Sequence, residues 1–200
     1  MYADAAGEFA QFVDDGFGIS GHGVLALTPD GALGLRLDIG FLQYGSETRR
    51  ISFPGTGGLI QLDLNTSNNV FFGGIGPEIA VPIGRARLYG FGTTGLAYFQ
   101  TTSKLEGADD NDEFGRTTNL SDATFAWTTG GGLRIPVSGG DTPISIDLSV
   151  VYHGNGDATY LTPEGITDIG GGDISIDPVR SETRLTTYRI GVSVPIGGQR

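Results

Sequence analysis

The sequence predicts an all-β fold in which antiparallel strands run up and down a barrel, and two observations carry that expectation. The first is a period of two that recurs down most of the 200 residues. Over 125–135 the odd positions hold Phe125, Trp127, Leu133 and Ile135; over 144–152 the even positions hold Ile144, Ile146, Leu148, Val150 and Tyr152. Residues 188–196 repeat the pattern with Tyr188, Ile190, Val192, Val194 and Ile196. Alternation of this length gives strands with one apolar and one polar face. The second observation is the spacing of turns. Short turns at 28–31, 82–86 and 136–143 alternate with long loops at about 45–59, 103–123 and 153–183, so all short turns fall at one end.

Taken in order, residues 1–16 read as irregular or a short helix, with 7–13 spaced for about two helical turns. Seven strands succeed them, at roughly 17–28, 32–45 (running on towards 53), 59–82 with a change of phase, 86–103, 123–136, 143–153 and 183–196. The chain is read as one domain, 1–200. An up-and-down barrel of this kind needs an even number of strands. Because 1–16 look too short and irregular for a strand, the eighth is expected upstream or from another source.

Composition narrows the class. Thirty-five glycines without a collagen period suit tightly curved strands, and the absence of cysteine removes disulfides and thiolate metal sites. A formal charge of −11, with no basic patch, argues against nucleic acid as a partner. No apolar run is long enough for a membrane-spanning helix, and the first residues lack the charged start and apolar core of a signal peptide.

The charges within the strands share the polar face. Arg36, Asp38, Glu78, Arg134, Asp147 and Arg189 fall there in equal numbers of each sign, with His22 beside them and small residues such as Gly74, Gly76, Gly130, Gly132, Ser145 and Ser149 between. Balanced charges among small residues suit a narrow lumen, where buried ions must be paired. The other face is a continuous apolar band. Tyr44, Tyr89, Phe99, Trp127, Tyr152 and Tyr188 lie near strand ends and are expected as interface aromatics. Apolar outside and ionic inside is a transmembrane barrel of the eight-stranded type.

Several segments resemble the outer-membrane β-barrel family that includes OmpX and the membrane domain of OmpA. Residues 7–18 look like a first loop and second strand, 69–78 with 89–99 like a central hairpin, and 130–136 like a later strand end. The last strand, with Arg189, Gly191, Val194 and Ile196, is similar to the signal read by the barrel-assembly machinery, although the family usually ends on an aromatic. The resemblance implies a bacterial outer-membrane location, membrane lipid and lipopolysaccharide as neighbours, and a structural or surface-interaction role with acidic loops outside the cell. The alternative is a soluble or secreted β-module that self-assembles through an unpaired edge as a strand-donating homo-oligomer.

No catalytic residues emerge, and the chain is read as not an enzyme. Gly16 to Gly21 match the dinucleotide fingerprint but lead into a strand, not a helix. His153 with Asp157 is a candidate acid–base pair lacking a nucleophile. No cofactor is implied. Asp109, Asp110, Asp112 and Glu113 offer ligand charge for a weak calcium site without the loop geometry of an EF-hand, against which stands a solvated acidic loop.

Overall fold

The computed structural model describes residues 1–13, 15–52, 61–107, 113–140, 143–160, 166–170 and 173–196. The strands are β1 (Tyr2–Ala6), β2 (Gly16–Ala26), β3 (Leu33–Ser52), β4 (Gln61–Ile83), β5 (Ala86–Gly107), β6 (Glu113–Pro136), β7 (Ser145–Tyr160), β8 (Ile166–Gly170), β9 (Asp173–Ile176) and β10 (Val179–Ser193). Eight of them close into an antiparallel barrel in the order β1-β10-β7-β6-β5-β4-β3-β2, and β8 with β9 form a separate two-stranded piece.

The eighth strand comes from residues 1–16 themselves, the segment whose sequence looks too irregular to supply it. β1 pairs with β10 from Tyr2↔Tyr188 to Ala6↔Arg184, and with β2 at Tyr2↔Phe17 and Ala3↔Gly16. Its sequence, Tyr-Ala-Asp-Ala-Ala, is five residues long and carries almost no apolar alternation, so periodicity has nothing to register. Beyond β1 the chain makes one 3-10 turn, Phe9–Gln11, in place of two helical turns.

Two of the expected loops are mostly strand. β3 and β4 stay paired from Gly45↔Asn68 to Ser52↔Gln61, and β5 and β6 from Thr102↔Thr118 to Glu106↔Glu113. Apolar alternation ends near residue 45, but backbone pairing does not need it. Polar side chains tie these upper strands together: Thr101 donates to Asn68 Oδ1 at 2.7 Å, and the Thr66 and Ser103 hydroxyls lie 2.9 Å apart. β7 likewise runs on to Tyr160 and β10 begins at Val179, which shortens the third expected loop from both ends.

The short turns sit together at the opposite end. At the first, Gly31 (φ 64°) donates to the Thr28 carbonyl at 2.9 Å while Thr28 Oγ1 accepts from Leu33 N–H at 3.0 Å. Arg87 fastens this turn to the next hairpin, donating to the Asp30 and Gly31 carbonyls at 2.9 Å each. Gly84 supplies the positive φ, 60°, that the two-residue link from Ile83 to Ala86 requires.

Alternation turns the large apolar residues of β2 to β7 and β10 outward. Ile19, Leu37, Ile39, Ile79, Leu96 and Ile190 are more than half exposed. Around the upper border of this belt the aromatics form a ring. Phe41 is register-paired with Phe71 and Phe71 with Tyr98; Phe125, Trp127, Tyr152, Tyr188, Tyr2 and Phe17 complete it. Ring centroids lie 4.9 Å apart for Phe41–Phe71, 5.6 Å for Trp127–Tyr152 and 5.5 Å for Tyr2–Phe17.

Candidate functional site

The barrel interior is the candidate site, and it is built in two layers. Inward positions of β3, β4, β6, β7 and β10 deliver Arg36, Asp38, Glu78, Arg134, Asp147 and Arg189 to the half nearer the short turns. They form an alternating chain of charge. Arg189 Nη1 donates to Asp38 Oδ1 at 3.0 Å, and Arg36 Nε bonds the same carboxylate. Arg36 Nη1 reaches Glu78 Oε2 at 2.7 Å, Arg134 Nη1 reaches Glu78 Oε1 at 2.7 Å, and Arg134 Nε reaches Asp147 Oδ2 at 3.1 Å. Three cations thus alternate with three carboxylates, and the layer is neutral. Arg36 is only 1% exposed, so pairing is what makes its burial tolerable.

Two further partners escape the sequence reading. The Tyr89 hydroxyl donates to Asp147 Oδ1 at 2.6 Å, and the Arg134 guanidinium stacks 4.0 Å from the Tyr89 ring centre. Arg36 lies 3.9 Å from the centre of Phe91. Strand-end position assigns Tyr89 to the outer face, which hides its role, and Phe91 draws no assignment. The available signal is parity: they share odd numbers with the inward Ala97 and Phe99 on β5. His22 sits at the edge of the layer, 3.4 Å from Arg134 Nη2.

The inward glycines make room for these rings. A Cβ on Gly132 would lie 2.6 Å from the Tyr89 hydroxyl and would strike the Leu148 carbonyl; one on Gly130 would lie 3.0 Å from Phe91 Cζ. Gly132→Ala is therefore expected to cost about 1–3 kcal/mol through overpacking. Urea unfolding followed by the fluorescence of Trp127, the single tryptophan, measures it. An unchanged midpoint would mean that the wall yields freely at this point.

Nearer the acidic end an apolar cluster plugs the interior. Phe9, on the 3-10 turn, folds into the lumen at 1% exposure and meets Tyr44, Tyr160 and Phe99 at centroid distances of 5.3, 5.2 and 6.4 Å. Val70, Phe72, Leu42 and Leu185 surround this plug, with Ala97, Ala126 and Ala158 leaving it space. The two layers meet at His153, whose ring lies 4.7 Å from Phe72 and whose Nε2 is 3.2 Å from Arg189 Nη2.

Three of the expected interface aromatics are therefore interior residues. Tyr44, Tyr89 and Phe99 are 2%, 3% and 1% exposed. Tyr44 shares the parity of Arg36 and Asp38 on β3, Tyr89 and Phe99 share that of the buried Phe91 and Ala97 on β5, and parity outweighs their position near strand ends. Trp127, Tyr152 and Tyr188 do belong to the outer ring. The His153–Asp157 pair does not form either: His153 points inward to Thr187, while Asp157 is exposed and lies 3.7 Å from Arg180. The fingerprint at Gly16 to Gly21 lies within β2. Asp109, Asp110 and Asp112 fall outside the described residues, and Glu113 opens β6. Among the described residues no group of three or more His, Asp or Glu side chains is arranged to hold a metal ion.

One large cavity of about 1200 Å³ opens below the ionic layer at the short-turn end. His22, Arg134, Asp147 and Arg189 line its roof, and Ser20, Val24, Ile190 and Val192 its side.

No protein-family model, curated protein or solved structure matches this chain.

Proposed function

We propose that the chain is a small integral β-barrel of the bacterial outer membrane, closed to solute flow and serving a structural or surface-interaction role rather than catalysis. One observation carries this reading: an apolar belt, open only between β2 and β10, surrounds an ion-paired interior. A water-soluble protein rarely exposes a contiguous apolar patch beyond a few hundred Å², yet here Ile19, Ile190 and Val192 are 75%, 76% and 71% exposed on a belt that includes seven strands. On β3 the belt runs from Leu33 to Phe41, which at ~3.3 Å per residue and a tilt of ~40° is about 20–25 Å along the axis. That height suits the hydrocarbon layer of an outer membrane, and the aromatic ring at the belt's upper border suits a headgroup girdle.

Above the ring the strands continue as a polar palisade. On a chain of charge −11, such a surface suits cationic partners, or divalent cations bridging it to lipopolysaccharide. Lipid, lipopolysaccharide and the assembly machinery are the partners this reading requires.

Heat-modifiable migration tests it. Detergent-purified protein left unboiled in SDS is expected to run faster than the boiled sample, as a closed barrel that resists the detergent. Protein that stays in solution in plain buffer, with identical bands, would replace this reading by the soluble self-assembling module.

A further inference from the structure

The barrel wall is incomplete over half its height. β1 occupies the wall between β2 and β10 only at and above Met1. Met1 exchanges both backbone hydrogen bonds with Gly18, its carbonyl accepting at 3.0 Å and its nitrogen donating at 2.7 Å. Below that point, among the described residues, β2 is paired on one side only, with β3 from Ile19↔Phe41 to Ala26↔Gly34. Among the described residues β10 is likewise paired only with β7 from Arg189↔Ser149 to Ser193↔Ser145. Hydrogen-bonding direction alternates along a strand, so the amides and carbonyls of Ser20, His22 and Val24 point where those of Gly18 point, into the gap. The large cavity at the short-turn end opens through it.

We propose that this gap is a strand-docking slot, filled by an extended peptide segment that continues the line of β1 on the amino side of Met1. The slot has a strand edge on each side, and only another backbone satisfies both edges; a lipid chain offers neither donors nor acceptors. Its register is set by the ladders already present. The position preceding Met1 falls opposite Ile19 on β2 and Ile190 on β10, the next opposite Ser20 and Gly191, and the next opposite Gly21 and Val192. At each step the two walls agree on which way the side chain points. Alternate positions face outward beside Ile19, Ile190 and Val192, and the rest face the cavity beside Ser20, His22 and Ser193. The occupant is therefore a segment of about five residues at ~3.3 Å each, apolar where it faces out and small or polar where it faces in. Continuity with β1 selects a covalently joined source, because Met1 already sets the ladder from which the segment grows.

Hydrogen exchange at the backbone amides of Ser20 and His22 reads the slot directly. The chain beginning at Met1 is compared with one carrying Val-Ser-Val-Gly-Val before Met1, both folded in the same detergent. The extension is expected to slow exchange at these two amides at least tenfold, leaving Leu42 and Val70 unchanged. A second extension, Val-Pro-Val-Pro-Val, keeps the outward face and the acceptor carbonyls but removes the donors aimed at the carbonyls of Ser20 and His22, and is expected to give weaker protection. Equal exchange with and without the Val-Ser-Val-Gly-Val extension would overturn the proposal. So would equal protection by the free pentapeptide, which would make the source a separate chain, or protection of the unextended chain by phospholipid alone, which would make the occupant a lipid. The slot is defined by the wall and not by its surroundings, so a failed exchange result leaves the heat-modifiability result standing, and the reverse.

Discussion

Replacing Arg36 by methionine is expected to lower the unfolding free energy by about 3–5 kcal/mol, the cost of leaving buried charge unpaired. Arg36 is the central cation of the interior and bonds two carboxylates, Asp38 and Glu78. Without it three carboxylates face two arginines, and both of its former partners lose a charge-assisted bond. A methionine of similar length fills the space beside Phe91, so the loss reports charge more than volume. Urea titration in lipid vesicles, followed through Trp127, measures the change.

The sharper result comes from removing Glu78 as well. Arg36→Met with Glu78→Leu takes out the middle pair and leaves two complete ones, Arg189 with Asp38 and Arg134 with Asp147. The interior is neutral again. The double variant is therefore expected to be more stable than Arg36→Met alone, with a coupling energy above ~1 kcal/mol across the cycle. Strict additivity would mean that lumen water screens these charges, and that the layer is a set of independent pairs.

Parity makes most of this interior legible in the sequence. The six charged residues share one face of their strands by simple counting, and the balance of sign among them reflects where they must meet. The height of the barrel is less visible. Above residue 45 the strands carry Thr, Ser and Asn instead of alternating apolar groups, and their pairing depends on cross-strand hydrogen bonds such as Thr101 to Asn68, which leave no period in hydrophobicity. β1 escapes for a related reason: its five residues borrow their strand geometry from β10 and β2. The interior aromatics are the costlier error. Tyr44, Tyr89 and Phe99 have the composition of an interface and the parity of a core, and in a barrel parity decides.

Replacing Phe9 by alanine is the second large expected effect, and it separates two seals that lie in series. Truncating a buried phenylalanine typically costs about 3–5 kcal/mol. Here the lower end is expected, because among the described residues the Tyr44 hydroxyl is buried without a hydrogen-bond partner, and water entering the vacated space would give it one. Loss of the plug should nevertheless leave the barrel closed. The path beyond Phe9 still crosses the layer where Arg36, Glu78 and Arg134 bond across the lumen, and an eight-stranded barrel is narrow enough for side chains to fill it. In planar bilayers Phe9→Ala is expected to give no conductance steps, whereas combining it with Arg36→Ala, which also vacates the space beside Phe91, should produce them. Steps from Phe9→Ala alone would show that the ionic layer lets ions through, and the closed-lumen reading would fall with it. Silence from the combined variant would place a third obstruction in the lumen, beyond the apolar plug and the ionic layer.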